Sequence, residues 1–172
     1  MRSSAASDVY KRQSLPGPAA CITALTMSGL STRRFCFEAF LPSEKGDKKE
    51  RARILEELKR ETRTIIVYEA PHHLARTLED LYKVLGDRNI TICRELTKKY
   101  EAACRTTFRE SLERCREEEP RGECVIVIEG KPLEELRKEQ ISRWEEMEIQ
   151  EHLACYTDQG MDKKEAMKAV AR

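Results

Sequence analysis

The chain has 172 residues, enough for one ordinary domain or two small ones with a buried core, but too few for a separate large catalytic domain. Lysine and arginine number 32 against 31 aspartates and glutamates, so the net charge of +1 provides no overall attraction for nucleic acid. The apolar stretches are too short to span a membrane and no signal peptide is visible, so we predict a cytoplasmic protein without a membrane partner.

The amino-terminal part predicts a leader, a helix and a strand. Residues 1–13 have no helical or strand period, and we interpret them as a non-native or disordered leader. The turn Pro16–Pro18 then opens a largely buried helix over Ala19–Leu30, with Gly29 as its stop. The alternation in Phe35–Phe40 predicts the first strand.

The next segment, between Pro42 and Thr62, is rich in lysine and glutamate and predicts a helix with a charged outer face and an apolar stripe (Ile54, Leu55, Leu58). Its basic stretch Lys45–Arg53 is a candidate contact for an RNA backbone, although a solvated helix face explains such runs more often. A strand over Thr64–Val67 and a helix over Pro71–Leu85 follow.

The carboxyl-terminal part continues the alternation of strands and helices. We predict strands over Asn89–Arg94, Arg105–Phe108 and Cys124–Gly130, with a helix over Arg109–Glu118. Beyond residue 131 the composition becomes that of a charged helix, so we divide the chain into an α/β domain (14–131) and a helical extension (132–172), and both chain ends look cut. The alternation favours an α/β fold with a mixed or parallel sheet covered by helices, and of these we predict a mixed sheet flanked by helices.

Seven cysteines are spread along the chain without a Cys-x-x-Cys pair and without a histidine at ligand spacing. Cys36, Cys93 and Cys124 lie in apolar runs, where a free cysteine behaves as a small buried hydrophobe. We therefore predict neither disulfides nor a bound metal ion.

Polar motifs follow two of the predicted strands at the points where those strands end. Tyr68–His73 reads Tyr-Glu-Ala-Pro-His-His, and Arg94–Glu101 reads Arg-Glu-Leu-Thr-Lys-Lys-Tyr-Glu. Open α/β sheets place their ligand crevices at the carboxyl ends of strands. The sequence therefore predicts a binding site formed by these two motifs.

Several co-linear motifs together resemble one known family. They are Pro16–Ala20, Ala24-Leu25, Ser28–Leu30, Phe35–Pro42, Tyr68–His72, Arg94–Lys98 with Glu101, and Gly122-Glu123 with Glu129-Gly130. In this order they resemble the carboxyl-terminal half of the ribosomal small-subunit RNA methyltransferase I family, which is similar in fold to the tetrapyrrole methylases. The resemblance covers roughly residues 14 to 172.

The resemblance implies an S-adenosylmethionine-dependent enzyme that methylates the ribose 2′-hydroxyl of a cytidine in 16S ribosomal RNA. It implies two α/β domains with the cofactor between them, the 30S subunit as partner, and a homodimer. This chain would supply the second domain and the start of a helical appendage. Because the family's amino-terminal domain would be missing, we predict that the chain alone does not methylate.

The resemblance also implies roles for individual residues. Cofactor binding would fall to the Pro-Gly loop and to the end of the second strand (Pro16, Gly17, Pro18, Ala19, Tyr68, Glu69, Ala70). We take Arg94, Lys98 and His73 as candidates for contact with RNA, although Arg94 could equally form an internal salt bridge with a glutamate. The family usually has arginine at position 73, and histidine is mostly neutral at pH 7.

The catalytic group cannot be ranked from the sequence. Methyl transfer needs in-line placement and a group that accepts the hydroxyl proton, for which a carboxylate or a lysine suffices (candidates Glu69, Glu95, Glu101, Lys98). Two other functions stay open. One is a tetrapyrrole or corrin-type methylase acting on a macrocycle, and the other is a non-catalytic RNA-binding or dimerisation module.

Overall fold

The computed structural model describes residues 17–42, 47–117 and 121–146, and a few residues between 157 and 167. Its elements in chain order are α1 (Ala20–Ser28), β1 (Phe35–Phe40), α2 (Lys48–Leu58), β2 (Thr64–Glu69), α3 (Pro71–Leu85), β3 (Asn89–Arg94), β4 (Ala102–Thr107), α4 (Phe108–Glu117), β5 (Cys124–Ile128) and α5 (Leu133–Glu146). The predicted leader lies outside the described residues, as does most of the tail after Glu146.

The five strands form one mixed sheet in the order β1-β2-β5-β3-β4. β1 and β2 are parallel, and β5 lies antiparallel between β2 and β3, so β1, β2 and β3 all run in the same direction. β4 pairs antiparallel with β3 at the far edge. The predicted α/β fold with a mixed sheet flanked by helices is therefore confirmed. The carboxyl ends of β1, β2 and β3 share one edge of the sheet with the amino ends of β4 and β5.

The helices cover the two faces of this sheet unequally. On the face that we call the three-helix face, α2, α3 and α4 enclose the larger core, whose members include Leu55, Leu58, Leu74, Leu78, Leu81, Ile65, Val67, Ile126 and Phe108. On the opposite face, the α1 face, a smaller core contains Ala24, Leu25, Ile66, Cys93, Val125 and Val127. Because successive residues of a strand point to opposite faces, β2 and β5 are covered on both sides and are apolar almost throughout.

Helix α3 has the bounds that the sequence predicts. Pro71 occupies the first turn, where its missing N–H costs nothing, and leucines at helical spacing face the core (Leu74, Leu78, Leu81, Leu85). Gly86, with a φ of 77°, ends the helix, and its N–H donates to the Tyr82 carbonyl at 2.9 Å.

Strand β2 is longer than predicted because tertiary pairing extends it. Tyr68 lies opposite Val125 and Glu69 lies opposite Cys124, so both residues belong to the ladder with β5. Strand β4 likewise begins at Ala102, which pairs with Arg94. Phe108, predicted to end this strand, instead begins α4, with its ring fully buried.

Helix α2 begins after Asp47, whose carboxylate accepts the Glu50 N–H at 3.0 Å. Leu55 and Leu58 are buried as predicted, but Arg51, counted with the charged outer face, is buried too. The expectation of a basic, RNA-facing stretch over Lys45–Arg53 is therefore wrong for Arg51. In the part of the chain that the structure describes, no helix has the length and apolarity to cross a bilayer.

Strand β1 contains an irregularity between Phe37 and Ala39. Ala39 there has a φ of 53°, in the left-handed region that favours glycine. The extra residue in β1 shifts the register by one, so that Phe40 lies opposite Tyr68. The backbone distortion thereby fixes which aromatic ring reaches the carboxyl edge of the sheet.

Candidate active site

The two polar motifs lie side by side across the sheet. Glu69, the last residue of β2, and Arg94, the last residue of β3, both lie opposite Cys124 of β5. Since neighbouring strands lie about 4.8 Å apart, the backbones of these two residues are separated by roughly 10 Å. A cross-strand row therefore joins motifs that are distant in sequence.

A pocket of about 380 Å³ opens at this edge of the sheet. Its lining includes five of the predicted site residues (Tyr68, Glu69, Ala70, Glu95, Lys98) together with Ala20, Phe40, Leu96, Glu123, Cys124 and Val125. A volume of this size and a mostly apolar wall with a few polar groups are typical of small-molecule sites.

The amino-terminal end of α1 reaches the pocket through Ala20. Gly17, Pro18 and Ala19 precede it and are exposed, whereas Pro16 lies outside the described residues. Ala19 offers no side chain to cap the helix, and the Cys21 N–H instead donates to the Tyr68 hydroxyl at 2.9 Å. Tyr68 thus joins the Pro-Gly loop to the end of β2, and burial raises the pKa of its hydroxyl, which keeps it protonated.

The carboxylate of Glu69 is buried at the back of the pocket and makes two internal hydrogen bonds. Oε1 accepts the Ala70 N–H at 2.8 Å, and Oε2 accepts the Thr77 hydroxyl at 2.6 Å. Only 7% of the residue is exposed. These bonds hold the carboxylate in one orientation.

The segment after β3 is a tight loop with an unusual backbone. Glu95 and Thr97 have φ angles of 48° and 65°, a conformation that costs energy for residues other than glycine. The Lys98 N–H donates to the Glu95 carbonyl at 2.9 Å, and the Thr97 N–H donates to the Glu101 carboxylate at 2.6 Å. Glu101 thus acts on the shape of the loop and does not line the pocket.

The carboxylate of Glu95 connects this loop to the residues before β5. Its Oε1 accepts the Glu123 N–H at 3.1 Å and lies 3.3 Å from the Lys98 ammonium. Lys98 also lies 3.5 Å from a carboxylate oxygen of Glu123. The hydrogen bond with Glu95 is the main cause that raises the pKa of Lys98, so this side chain stays charged at neutral pH.

Arg94 and His73 lie at the same edge of the sheet but do not line the pocket. Arg94 is partly buried on the three-helix face, near Cys115 and Cys124. Burial raises the pKa of the Cys124 thiol to about 11, an effect that Arg94 opposes. His73 is exposed in the first turn of α3, beside His72.

Several pocket residues escaped the sequence analysis. Phe40 was assigned to a strand and to one of the family motifs but to no site, although the residue is 62% exposed and its ring lies edge-on to Tyr68 at 5.7 Å. Glu123 was noted only as part of a motif, and its approach to Glu95 depends on β3 and β5 being neighbours. No sequence periodicity reveals such a pairing. Among the described residues, no three histidine, cysteine, aspartate or glutamate side chains group as metal ligands.

The sequence profile of the family Tetrapyrrole (Corrin/Porphyrin) Methylases matches residues 5–112. The chain belongs to this family. Two solved structures share the fold of this tetrapyrrole methylase chain: the methyltransferase CobJ (TM-score 0.53, 20% identity, 67% of this chain and 49% of that one) and the cobalt precorrin-4 methyltransferase CbiF (TM-score 0.52, 15% identity, 67% and 50%). At these identities the likeness concerns the fold alone.

Curated relatives are more similar in sequence. Ribosomal RNA small subunit methyltransferase I of Bacillus subtilis (strain 168) is 43% identical over 157 residues, which are 91% of this chain and 52% of that protein. The protein of the same name from Halalkalibacterium halodurans is 42% identical over 157 residues, 91% of this chain and 53% of that protein. The chain spans about half the length of these relatives.

Proposed function

We propose that this chain forms one half of an S-adenosylmethionine-dependent methyltransferase that modifies a cytidine ribose 2′-hydroxyl in 16S ribosomal RNA. The observation that carries the proposal is the convergence of two distant motifs on one pocket, in a chain whose relatives at 42–43% identity are named ribosomal RNA small subunit methyltransferase I. The 30S subunit and a second copy of the chain are the proposed partners.

The charge of the pocket supports a cationic ligand. Three carboxylates, those of Glu69, Glu95 and Glu123, line it against the ammonium of Lys98. S-adenosylmethionine carries a sulfonium, an ammonium and a carboxylate group, and its net charge of about +1 would be attracted by this surplus of negative charge. The phosphates of RNA would be repelled from the same space. We therefore assign the RNA backbone to the surface outside the pocket, at the sheet edge where Arg94 and His73 lie.

The cofactor would lie between the Pro-Gly loop and the end of β2. Gly17 and Ala19 have backbone N–H groups near the start of α1, whereas Pro18 has none, and the hydrogen bond from Cys21 to Tyr68 ties this loop to the pocket. Tyr68 and Ala70 would flank the adenosine. For Pro16, which lies outside the described residues, the proposed role in cofactor binding rests on the family resemblance alone.

The four catalytic candidates differ in their chemistry. Lys98 is a poor base because its raised pKa keeps it protonated, and Glu69 is poorly available because both of its oxygens accept internal hydrogen bonds. Glu101 does not line the pocket and its carboxylate accepts the Thr97 N–H, so Glu95, which does line the pocket, is the proton acceptor that we propose. Placement of the ribose hydroxyl in line with the methyl group would supply much of the rate enhancement.

A second function, methylation of a tetrapyrrole or corrin macrocycle, has the fold in its favour, because CobJ and CbiF share it. Sequence similarity favours RNA, because the relatives named ribosomal RNA small subunit methyltransferase I are 42–43% identical to the chain. The two structural neighbours are only 20% and 15% identical to it. A non-catalytic RNA-binding module is the third possibility.

The proposal is tested by titrating S-adenosylmethionine into the chain, and into the chain rejoined to the amino-terminal half of the Bacillus subtilis relative. We expect methyl transfer to 30S subunits from the rejoined protein and none from the chain alone. Binding of 30S subunits without cofactor affinity would favour the module. No transfer by a folded, cofactor-binding rejoined protein would overturn the RNA substrate.

A matched pair of variants tests the electrostatic argument. Glu123→Gln removes a pocket carboxylate, and we expect the dissociation constant for S-adenosylmethionine to rise about two- to fivefold because one favourable charge interaction is lost. Its neutral product, S-adenosylhomocysteine, should be affected less. Glu113→Gln, on an exposed position of α4, is the control and should change neither constant.

A further inference from the structure

Arg51 of α2 is a buried cation that binds three residues, two of them in α3 and one just after β1. Its Nε and Nη2 donate to one oxygen of Asp80 at 3.1 and 2.9 Å, and Nη1 donates to the Pro42 carbonyl at 3.0 Å. Nη2 also donates to the Thr77 hydroxyl at 3.1 Å. The side chain is 8% exposed and does not line the pocket, so it cannot contact a ligand there.

Thr77 connects this guanidinium to the pocket. Its hydroxyl accepts from Arg51 and donates its single proton to Glu69 Oε2 at 2.6 Å. The positive charge of Arg51 and the negative charge of Glu69 both favour this orientation of the hydroxyl. Glu69 in turn accepts the Ala70 N–H, and both residues line the pocket. A continuous chain of hydrogen bonds therefore leads from Arg51 to the pocket wall.

The hydrogen bond from Arg51 to the Pro42 carbonyl connects the guanidinium to a second wall of the pocket. Pro42 follows β1 by two residues, and Phe40, the last residue of that strand, lines the pocket with its largely exposed ring. One guanidinium thus holds the backbone beyond Phe40 and, through Thr77, the carboxylate of Glu69. These walls come from different strands, β1 and β2, which are joined by only five residue pairs.

We propose that Arg51 is a positioning residue that sets the geometry of the pocket by fixing Glu69 and the end of β1 together. The proposal rests on the proposed function only in taking S-adenosylmethionine as the ligand. The hydrogen-bond chain itself does not depend on that identity, and its loss can be measured without any ligand.

The test compares three buried threonine substitutions. Thr77→Val removes the hydroxyl at nearly constant shape, Thr77→Ser retains it, and Thr91→Val removes a different buried hydroxyl, which donates to the Ser28 carbonyl at 3.0 Å on the α1 face. Amide hydrogen exchange at Ala70 reports the Glu69 carboxylate directly. We expect faster exchange at Ala70 in Thr77→Val, and wild-type exchange in the other two.

Cofactor titration provides the second measurement. We expect Thr77→Val to raise the dissociation constant for S-adenosylmethionine roughly tenfold, because a hydrogen bond to a charged group is lost, and Thr77→Ser to restore it. Arg51→Lys keeps the charge near Asp80 but loses the fork that reaches Pro42 and Thr77. We therefore expect Arg51→Lys to accelerate amide exchange at Ala70. This variant provides the test if Thr77→Val does not fold.

The outcomes separate the two proposals. Unchanged exchange at Ala70 in Arg51→Lys or in Thr77→Val, or an equal acceleration in Thr91→Val, would overturn the positioning role and leave the proposed function standing. Absence of cofactor binding by the wild-type chain and by its rejoined form would overturn the proposed function. The exchange comparison would then still decide whether Arg51 positions Glu69.

Discussion

The hydroxyl of Tyr68 caps a helix that lies 47 residues earlier in the chain, by accepting the Cys21 N–H at 2.9 Å. Ordinarily a helix is capped by the side chain that precedes it, but Ala19 has no group that could do so. Tyr68 also contacts Phe37 and Phe40 edge-on at ring distances of 4.9 and 5.7 Å. A single side chain therefore joins α1, β1 and β2 at the pocket.

Loss of this cap should be measurable. We expect Tyr68→Phe to lower the free energy of unfolding by about 1 kcal/mol, since a helix N–H loses its partner while the ring packing is kept. Urea denaturation measures the change, and hydrogen exchange at Cys21 should accelerate. Tyr100→Phe, at a position that is 74% exposed, is the matched control. Equal stabilities of the two variants would contradict the capping role.

Gly122 makes room for the Glu95 carboxylate. A Cβ at residue 122 would lie 2.5 Å from Glu95 Oε1, and the φ of 79° disfavours other residues as well. We expect Gly122→Ala to destabilise the protein by about 2 kcal/mol, from backbone strain and displacement of Glu95. In a Glu95→Ala background the steric part should vanish, which a double-mutant cycle detects as a coupling of about 1 kcal/mol. Additive effects would refute the contact.

Ala39 is a residue whose replacement should stabilise the protein. Its φ of 53° costs an alanine about 1–2 kcal/mol, whereas glycine adopts it freely but loses more entropy on folding. We therefore expect Ala39→Gly to raise the free energy of unfolding by about 0.5–1 kcal/mol. Ala103→Gly, in the edge strand β4, should lower it by a similar amount. Thermal unfolding of both variants tests the opposite signs.

Glu61 should contribute to the acid sensitivity of the fold. The Arg63 side chain, 2.6 Å away, lowers the pKa of this carboxyl from 4.5 to about 2. Because the folded-state pKa is the lower one, the stabilisation is complete above pH 4.5 and is lost as the pH falls toward 2. Glu61→Gln should lower the free energy of unfolding at pH 7. It should also reduce the loss of stability between pH 4.5 and about 2.

Urea midpoints between pH 7 and pH 2.5 measure this dependence. Glu134→Gln, at an exposed position of α5, serves as the control and should retain the wild-type profile. A Glu61→Gln profile that runs parallel to the wild-type curve would mean that the contact with Arg63 adds nothing to stability.

Local sequence was sufficient for most of the secondary structure. Helix α3 and strand β3 have their predicted bounds, because Pro71, Gly86 and the spacing of the leucines are local signals that tertiary contacts reinforce. The placement of both polar motifs at strand ends could likewise be predicted from the sequence, since polar residues that follow buried apolar runs mark the edge of a sheet.

The partners of the polar side chains were decided only by tertiary structure. Arg51 looks like any other cation of a charged helix until α2 packs against α3, and its burial follows from Asp80 and Thr77, 29 and 26 residues away. Glu123 meets Glu95 because β5 inserts between β2 and β3, an order that strand periodicity does not encode. Periodicity reports which face of an element is buried, whereas charge pairing depends on which elements become neighbours, and the long-range packing of the whole domain sets that.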